Sequence, residues 1–378
     1  MQLETCRYTD RQGWSTPLPD LDSDRTLVLV FGASEGPAHA AGLGELRAAF
    51  PRATLLGCST AGEIFGTTVI DDSLVVGIVR FEHTTLRCTS ASVGAMSASR
   101  AAGRALAHTL TDPALRAVFV LSDGLSVNGS ALAGGLNEEL PASVVVTGGL
   151  AGDGARFQRT WVLHEGRPTP GLVTAVGLYG PRLRVGYGSK GGWDLFGIER
   201  TVTRSEGNVL YELDGRPVLD LYKEYLGERA AGLPATALLF PLALRTGSKA
   251  HDRVVRTVLA VDEAANALVF AGDVPQDARA QLMRANLDRL IQGASEAALT
   301  PAAAMPGAGP VLSIAISCVG RRLVLGERAE EETEATLDVL PPGTKQIGFY
   351  SYGELSPLGV GGCDLHNQTM TLTTLGED

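Results

Sequence analysis

The sequence is poor in the patterns that usually announce a chemistry. Its 378 residues include five cysteines, Cys6, Cys58, Cys88, Cys318 and Cys363, odd in number and widely spaced. They form no CxxC pair for zinc and no CxxCH for covalent haem. That usage fits a reduced cytoplasm. The six histidines are mostly isolated and no HExxH occurs, so a dedicated metal cluster has little support. GxxxxGKS/T is absent and no GxGxxG opens a helix, which removes the common nucleotide motifs. Lysine is nearly missing, with four residues against 28 arginines, and the arginines are scattered. With a formal net charge of -10, this is not a general nucleic-acid binder. Apolar runs are short. Residues 235–244, among the longest, contain Pro241, whereas a membrane span needs roughly 20 apolar residues. The opening MQLETCRYTDRQGW lacks the apolar region of a secretory signal. A cytoplasmic protein without a membrane span is expected.

What is present is a globular composition, 44% hydrophobic and 20% charged. The length exceeds one ordinary core, so two subdomains are expected. Residues 1–25 are polar, carry Pro17 and Pro19, and read as a lead-in strand or arm. Apolar runs at 27–31, 54–56, 117–121 and 143–147 read as strands. They alternate with helices over 37–50, 97–110 and 130–140, with Pro37 in the first turn of the first helix. Such an alternation points to an α/β sheet covered on both faces. Runs 74–81 and 84–90, around Glu82-His83, predict a tight antiparallel pair and hence a mixed sheet. From 161 to 213, repeated strand–turn–strand units predict one antiparallel meander, closing in a helix over 217–226. Residues 227–234 mark a boundary. Beyond it come strands at 237–244, 254–261, 267–272 and 311–317. An amphipathic helix over 277–291 uses Leu282, Leu287, Leu290 and Ile291. An Ala/Pro/Gly linker follows over 300–310, then an acidic helix over 327–339 whose glutamates read as a solvated face. The expected fold is α/β plus α+β, with mixed sheets and flanking helices. It divides into an arm 1–25, an α/β part 26–226 and an α+β part 227–378, with a ligand crevice between the parts or at the strand ends.

The C-terminal stretch reads as two strands, 346–352 and 365–375, around a loop rich in glycine and proline. Alternation puts His366, Gln368, Met370 and Leu372 on one face and Asn367, Thr369, Thr371 and Thr373 on the other. The first face is the more apolar, so His366 and Gln368 point inward, where polar groups need partners. Two readings of His366 stand. It is a core histidine satisfied by a backbone carbonyl or a tyrosine hydroxyl, or it lines a ligand pocket. In the preceding strand Tyr350 and Tyr352 share a face, opposite Ile347 and Phe349.

Four strands of the N-terminal half stop at small polar loops: GASEG, GCSTAGE, SDGLSVNG and GGLAGDG. In open α/β sheets ligands bind beyond the carboxyl ends of strands, and glycine lets the backbone come close. The candidate ligand-binding residues on these loops are Ser59, Thr60, Ser122, Asp123, Asn128, Gly148, Gly149 and Asp153. Tyr350, Tyr352, His366 and Asn367 join them from the C-terminal stretch. The same residue types also serve as plain turn and capping chemistry. Gly32-Ala33-Ser34-Glu35-Gly36 matches the GxSxG of a nucleophile elbow, so a serine hydrolase built on Ser34 is an alternative. Nothing in the sequence selects its base, its strand reads as the first of its sheet, and a helix N-cap is the simpler role for Ser34. No catalytic set stands out, and the chain is read as non-enzymatic.

In their order and spacing these segments resemble FIST domain proteins. The resemblance runs from Thr26 to Leu375. It takes in the strand–loop series through GGLAGDG, GWD at 192–194, NVLYELDGRPVLDLYKEYLG at 208–227, VVRTVLAVD at 254–262, GFYSYGE at 348–354 and LHNQTMTLT at 365–373. It implies a sensory domain for a small ligand, amino acids in particular. No output module is recognisable, so signalling through a partner such as a histidine kinase or a cyclic-di-GMP enzyme is implied. One branch of the family senses nitric oxide through haem. The resemblance therefore also implies haem b as a candidate cofactor, with His366 as its metal ligand and Tyr350, Tyr352 or His164 as substitutes.

Overall fold

The computed structural model describes residues 1–35, 37–233, 235–245, 253–307, 309–358 and 362–378. Gly36 of the GASEG loop, Pro234 at the expected boundary, Ala308 of the expected linker and 359–361 of the C-terminal loop lie outside the described residues.

Parallel strands need a crossover, usually a helix, and three such units occur. In a seven-stranded sheet, Thr26–Ala33 lies parallel to Thr54–Thr60, with helix Pro37–Ala49 between them. In a six-stranded second sheet, Leu115–Ser122 lies parallel to Val145–Leu150 across helix Gly129–Glu139. In a six-stranded third sheet, Leu312–Cys318 lies parallel to Lys345–Ser351 across helices Val319–Leu325 and Ala329–Leu337. Antiparallel strands complete each sheet, so all three are mixed. Their inner faces meet in one buried cluster that includes Leu29, Phe31, Phe119, Leu121, Ile314, Ile316 and Phe349. The rings of Phe31 and Phe349 lie 4.7 Å apart there. Helices cover the outer faces through Leu43, Leu46 and Phe50 on the first sheet. Leu106, Leu132 and Leu136 cover the second, and Leu290 and Ala294 the third. Burial on both faces is why these strands read as unbroken apolar runs.

After each second parallel strand the chain crosses into a neighbouring sheet. Thr54–Thr60 runs on into Glu63–Phe65, which pairs with Lys345–Ser351. Lys345–Ser351 runs on into Gly353–Pro357, which pairs with Val145–Leu150. Val145–Leu150 leads to Val162–His164, which pairs back onto Thr54–Thr60. The crossings bond to one another in a ring. The Ala61 amide donates to the Tyr350 carbonyl (2.8 Å), the Tyr352 amide to Leu150 (3.2 Å) and the Gly152 amide to Ser59 (2.9 Å). Each crossing carries a glycine followed by an acid: Gly62-Glu63, Gly152-Asp153 and Gly353-Glu354.

A fourth, antiparallel sheet of eight strands is built from residues between Asp194–Glu206 and Arg279–Arg284. It packs on helix Val218–Leu226 and has its own core, including Val202, Leu210, Tyr222, Leu268, Phe270 and Leu282.

Local reading failed where partners were distant. Runs 74–81 and 84–90 are strands but not a hairpin. Leu74–Arg80 pairs with Thr26–Ala33 and Gln2–Thr9, while Thr85–Ser92 pairs with Leu172–Tyr179 in the second sheet. The stretch from 161 to 213 is not one meander, because its strands are dealt to all four sheets. The helix expected over 277–291 splits. Arg279–Arg284 is a strand that buries Ala280 and Leu282, and Asn286 then caps helix Leu287–Ala303 by accepting from the Arg289 amide at 3.3 Å. That helix runs through Pro301 into the expected linker. Strand 365–375 breaks at Asn367–Thr369, where Gln368 has φ 61°, and every residue from His366 to Leu375 is buried. The two-face assignment there therefore does not hold. In the acidic helix Glu332 is not solvated but fully buried. It accepts from Arg321 Nε (2.9 Å) and Nη2 (2.7 Å), Ser317 Oγ (2.8 Å) and the Tyr350 hydroxyl (2.8 Å).

Removing one partner of a buried pair leaves a bare charge. Glu332→Ala is expected to lower the unfolding free energy by about 3–5 kcal/mol in urea denaturation. Glu331→Ala breaks only the exposed pair with Arg328 and should cost less than about 1 kcal/mol.

Candidate functional site

The carboxyl ends of Leu115–Ser122, Val145–Leu150 and Leu312–Cys318 face the fourth sheet, and a cavity of about 170 Å3 lies between. One wall is the loop carrying Gly124, Leu125, Val127 and Asn128. The opposite wall comes from the fourth sheet and its approach, with Leu238, Thr257, Phe270 and Gly272. Cys318, Val319, Gly320 and Tyr352 complete it. Three apolar side chains at its edge stay open to solvent: Met96 (52% exposed), Phe157 (43%) and Leu259 (44%). The Phe157 ring stacks on Tyr352 with centroids 4.5 Å apart. An apolar cavity of about 150 Å3 takes up benzene, so this space suits a ligand of one ring or an equivalent chain.

Carboxylates shape the walls from behind. Asp123 accepts from the amides of Leu125 (2.9 Å) and Ser126 (2.7 Å) and from Thr160 Oγ1 (2.9 Å), which fixes the first wall. Asp153 accepts from the amides of Phe157, Gln158 and Arg159, each at 2.8 Å, and from the Tyr352 hydroxyl. Burial pushes the Asp153 pKa up, but the Tyr352 hydroxyl and the three amides outweigh it and hold the carboxyl below its ordinary range. Asn128 caps helix Gly129–Glu139 through the Ala131 amide (3.0 Å) and bridges to Asp273 with its Nδ2 (2.9 Å). Arg256 makes a second bridge, donating to the carbonyls of Asp273 (3.0 Å) and Leu365 (3.0 Å). These two links tie the fourth sheet to the second beside the cavity.

Buried polar groups normally have partners. Among the described residues, Thr257 Oγ1, Ser356 Oγ, Gln368 Oε1 and both amide atoms of Asn367 have none. Thr257 lines the cavity itself. The Gln368 amide lies directly behind Gly320, where a Cβ would come within 2.5 Å of Nε2.

Of the residues singled out by sequence, Asn128 and Tyr352 line the cavity, and Asp123 and Asp153 position its walls. The others sit in the scaffold. Ser122 Oγ donates to the Asp123 carbonyl (2.8 Å), Ser59 Oγ accepts the Trp161 amide (3.0 Å), and Thr60 donates to Glu63. Gly148, at φ 148°, packs under the Val120 carbonyl, and Gly149 packs against Ile316 and Phe349. Tyr350 is committed to Glu332, and burial raises its pKa. His366 is a buried histidine whose Nε2 lies 3.1 Å from the Ser356 carbonyl, and burial lowers its pKa. His366 and Asn367 are not among the lining residues. Ser34 follows the central strand of its sheet, not the first, with Gln2–Thr9 ahead of it in the chain. Its described contact is Arg156 Nη2 at 2.7 Å, while His164 Nδ1 lies 3.2 Å from Ser90 Oγ.

Sequence reading missed Thr257, Phe157, Gly272 and the strand-to-helix junction at 318–320. The last had a signal, since it follows an apolar parallel strand in the same way as the loops that were flagged. No group of three or more His, Cys, Asp or Glu among the described residues could hold a metal ion, and no described helix is long and apolar enough to cross a membrane.

The FIST N domain model matches residues 26–216 and the FIST C domain model matches residues 219–357. The chain belongs to the FIST family, whose domains are sensory domains linked to signalling. An uncharacterized protein of Methanocaldococcus jannaschii is 26% identical over 187 residues, covering 47% of this chain and 36% of the relative. The match thus spans about a third of that relative's length. The crystal structure of a cyanuric acid hydrolase from A. caulinodans aligns over 99% of both chains at 11% identity, with a TM-score of 0.35. Similarity at that level carries no argument about fold or activity.

Glu354 accepts from Ser351 Oγ (2.6 Å) and Thr369 Oγ1 (2.8 Å), and burial pushes its pKa up to about 8. A carboxyl raised in the folded state stabilises fully below its unfolded pKa and loses that contribution as pH rises through the folded value. Glu354→Gln keeps a neutral side chain at all pH. Its stability relative to wild type is therefore expected to improve steadily between pH of about 4.5 and about 8, as followed by urea denaturation across that window.

Proposed function

We propose that this chain is a cytoplasmic sensor that holds a small molecule, an amino acid being the favoured class, in the cavity facing the fourth sheet. One observation carries this reading. A one-ring-sized space with an exposed apolar rim contains a buried hydroxyl, Thr257 Oγ1, that no group among the described residues satisfies. A ligand with an apolar body and a polar end meets both demands. The walls come from the expected α/β part 26–226 and from the α+β part 227–378, so an occupant touches both. A ligand that favours one arrangement of these walls shifts the population toward it. The bridges Asn128–Asp273 and Arg256–Leu365 are the contacts such a shift strains first. A partner, such as a histidine kinase or a cyclic-di-GMP enzyme, reads the outcome.

His366, Tyr350 and Tyr352 do not fit haem in this cavity. His366 does not line the cavity and its Nε2 already faces a carbonyl. Tyr350 and Tyr352 donate to Glu332 and Asp153. The space is also well under the ~300–1,000 Å3 typical even of drug-sized ligand sites. A hydrolase reading gains nothing from Ser34, whose described partner is an arginine.

Screening the amino acids by thermal shift is expected to single out one or a few that raise the melting temperature. Thr257→Val keeps the shape and removes the hydroxyl. It should weaken that ligand by roughly five- to tenfold, the worth of one hydrogen bond, with little change in the unliganded melting temperature. Val319→Trp, which fills the cavity, should abolish the shift. No response to any amino acid in the wild type would end this assignment.

A further inference from the structure

A separate cleft of about 650 Å3 opens at the carboxyl end of Thr26–Ala33 and shares no lining residue with the cavity. It is bounded by Ser34, by Arg47 on helix Pro37–Ala49, by Arg159 and Trp161, and by the turn carrying Arg167. Arg156 reaches the same place, since its Nη2 donates to Ser34 Oγ at 2.7 Å. Ser34 is only 5% exposed, whereas the four arginines are open to solvent.

The charge here is unusual for this chain. Acidic residues outnumber Lys and Arg 42 to 32. Among the described residues, some surface arginines elsewhere find carboxylates, as Arg52 does with Asp24 (3.1 Å), Arg322 with Asp71 (2.7 Å) and Arg328 with Asp288 (2.9 Å), and others, such as Arg116, stand without one singly; here four stand without one around a single cleft. Among the described residues Arg47, Arg156, Arg159 and Arg167 have no ion pair. Among the described residues Glu35 is the sole acid lining the cleft. Asp153, which precedes the loop bearing Arg156 and Arg159, is committed to that loop's own amides and neutralises neither side chain. Arg47 is seated by close packing. Gly166 has φ 71°, and a Cβ there would lie 2.7 Å from Arg47 Cδ, so the guanidinium stem lies across a turn that only glycine leaves room for.

We propose that this cleft binds a small molecule carrying two or more phosphates. Guanidinium forks match phosphate oxygens in pairs. Four of them against one carboxylate leave a surplus that a single carboxylate ligand does not balance. The volume falls in the ~300–1,000 Å3 range of small-ligand sites and is bounded by a helix and a hairpin. This assignment stands apart from the sensory reading of the cavity.

The test is isothermal titration of the full chain with inorganic pyrophosphate and tripolyphosphate, with citrate as a phosphate-free oligoanion. One-to-one binding of the phosphates is expected, weakening with added salt. Arg156→Ala combined with Arg167→Ala should weaken it at least about tenfold, and Arg116→Ala, an exposed arginine outside the cleft, should not. Arg159→Gln gives a single conservative variant should the double one melt early, and it should weaken binding as well. No binding of either phosphate, or equal loss in Arg116→Ala, would overturn the site. Citrate binding as tightly as pyrophosphate would overturn the phosphate assignment.

Discussion

Three backbone hydrogen bonds, where the strand crossings of three sheets meet, hold this molecule's geometry. Each crossing chain donates to or accepts from the next, so none can shift without unpairing another. The acid after each crossing glycine is buried, and its protonation follows from the donors it meets. Glu63, held by Thr60 and Ser73, and Glu354, held by Ser351 and Thr369, are pushed by burial up to about 8. Asp153 has three backbone amides and a hydroxyl, and it stays ionised. The same sequence position thus carries a carboxyl pushed up by burial in two crossings and one held low by its donors in the third. The anchored crossing leads into the loop that brings Phe157 to the edge of the cavity.

A second knot lies beside the ring. Arg321 is wholly buried, binds Glu332, and donates to the carbonyls of Gly191 and Leu290 (2.8 Å). Glu332 in turn takes the hydroxyl of Tyr350, whose carbonyl belongs to the ring. Buried ion pairs are weak evidence of net stability. This one acts by position, joining both helices of the third crossover to the helix before it and to the turn leading into the fourth sheet.

The parts of this architecture legible in sequence were those encoded locally. Unbroken apolar strands alternating with helices were legible as an α/β pattern covered on both faces, but their division between two sheets was not. The partners of the antiparallel strands were not legible. The three crossings bring together residues up to about 290 positions apart, such as Ala61 and Tyr350, and only their Gly-acid pairs repeat. Thr257 was hidden for a different reason. Nothing in a β-branched residue within an apolar run tells whether its hydroxyl is satisfied, and that depends on how the fourth sheet docks. The Arg321–Glu332 pair was lost in a glutamate-rich helix that reads as solvated, because burial of one face member is set by the neighbouring helix and not by composition.

The loop after Asp153 gives a physical reason to consider the cavity and the basic cleft together. Phe157, at the cavity's edge, and Arg156 and Arg159, at the cleft, are held by one carboxylate through consecutive amides at 157, 158 and 159. Proximity by itself is not coupling, which requires an element with two arrangements that both ligands bias. Here the alternative arrangements are constrained. The loop either moves as one piece about Asp153 or breaks several charge-assisted hydrogen bonds at once. A ligand pressing on the stacked Phe157 and Tyr352 rings therefore acts on the hydroxyl that completes the Asp153 site, and so on the anchor of both arginines.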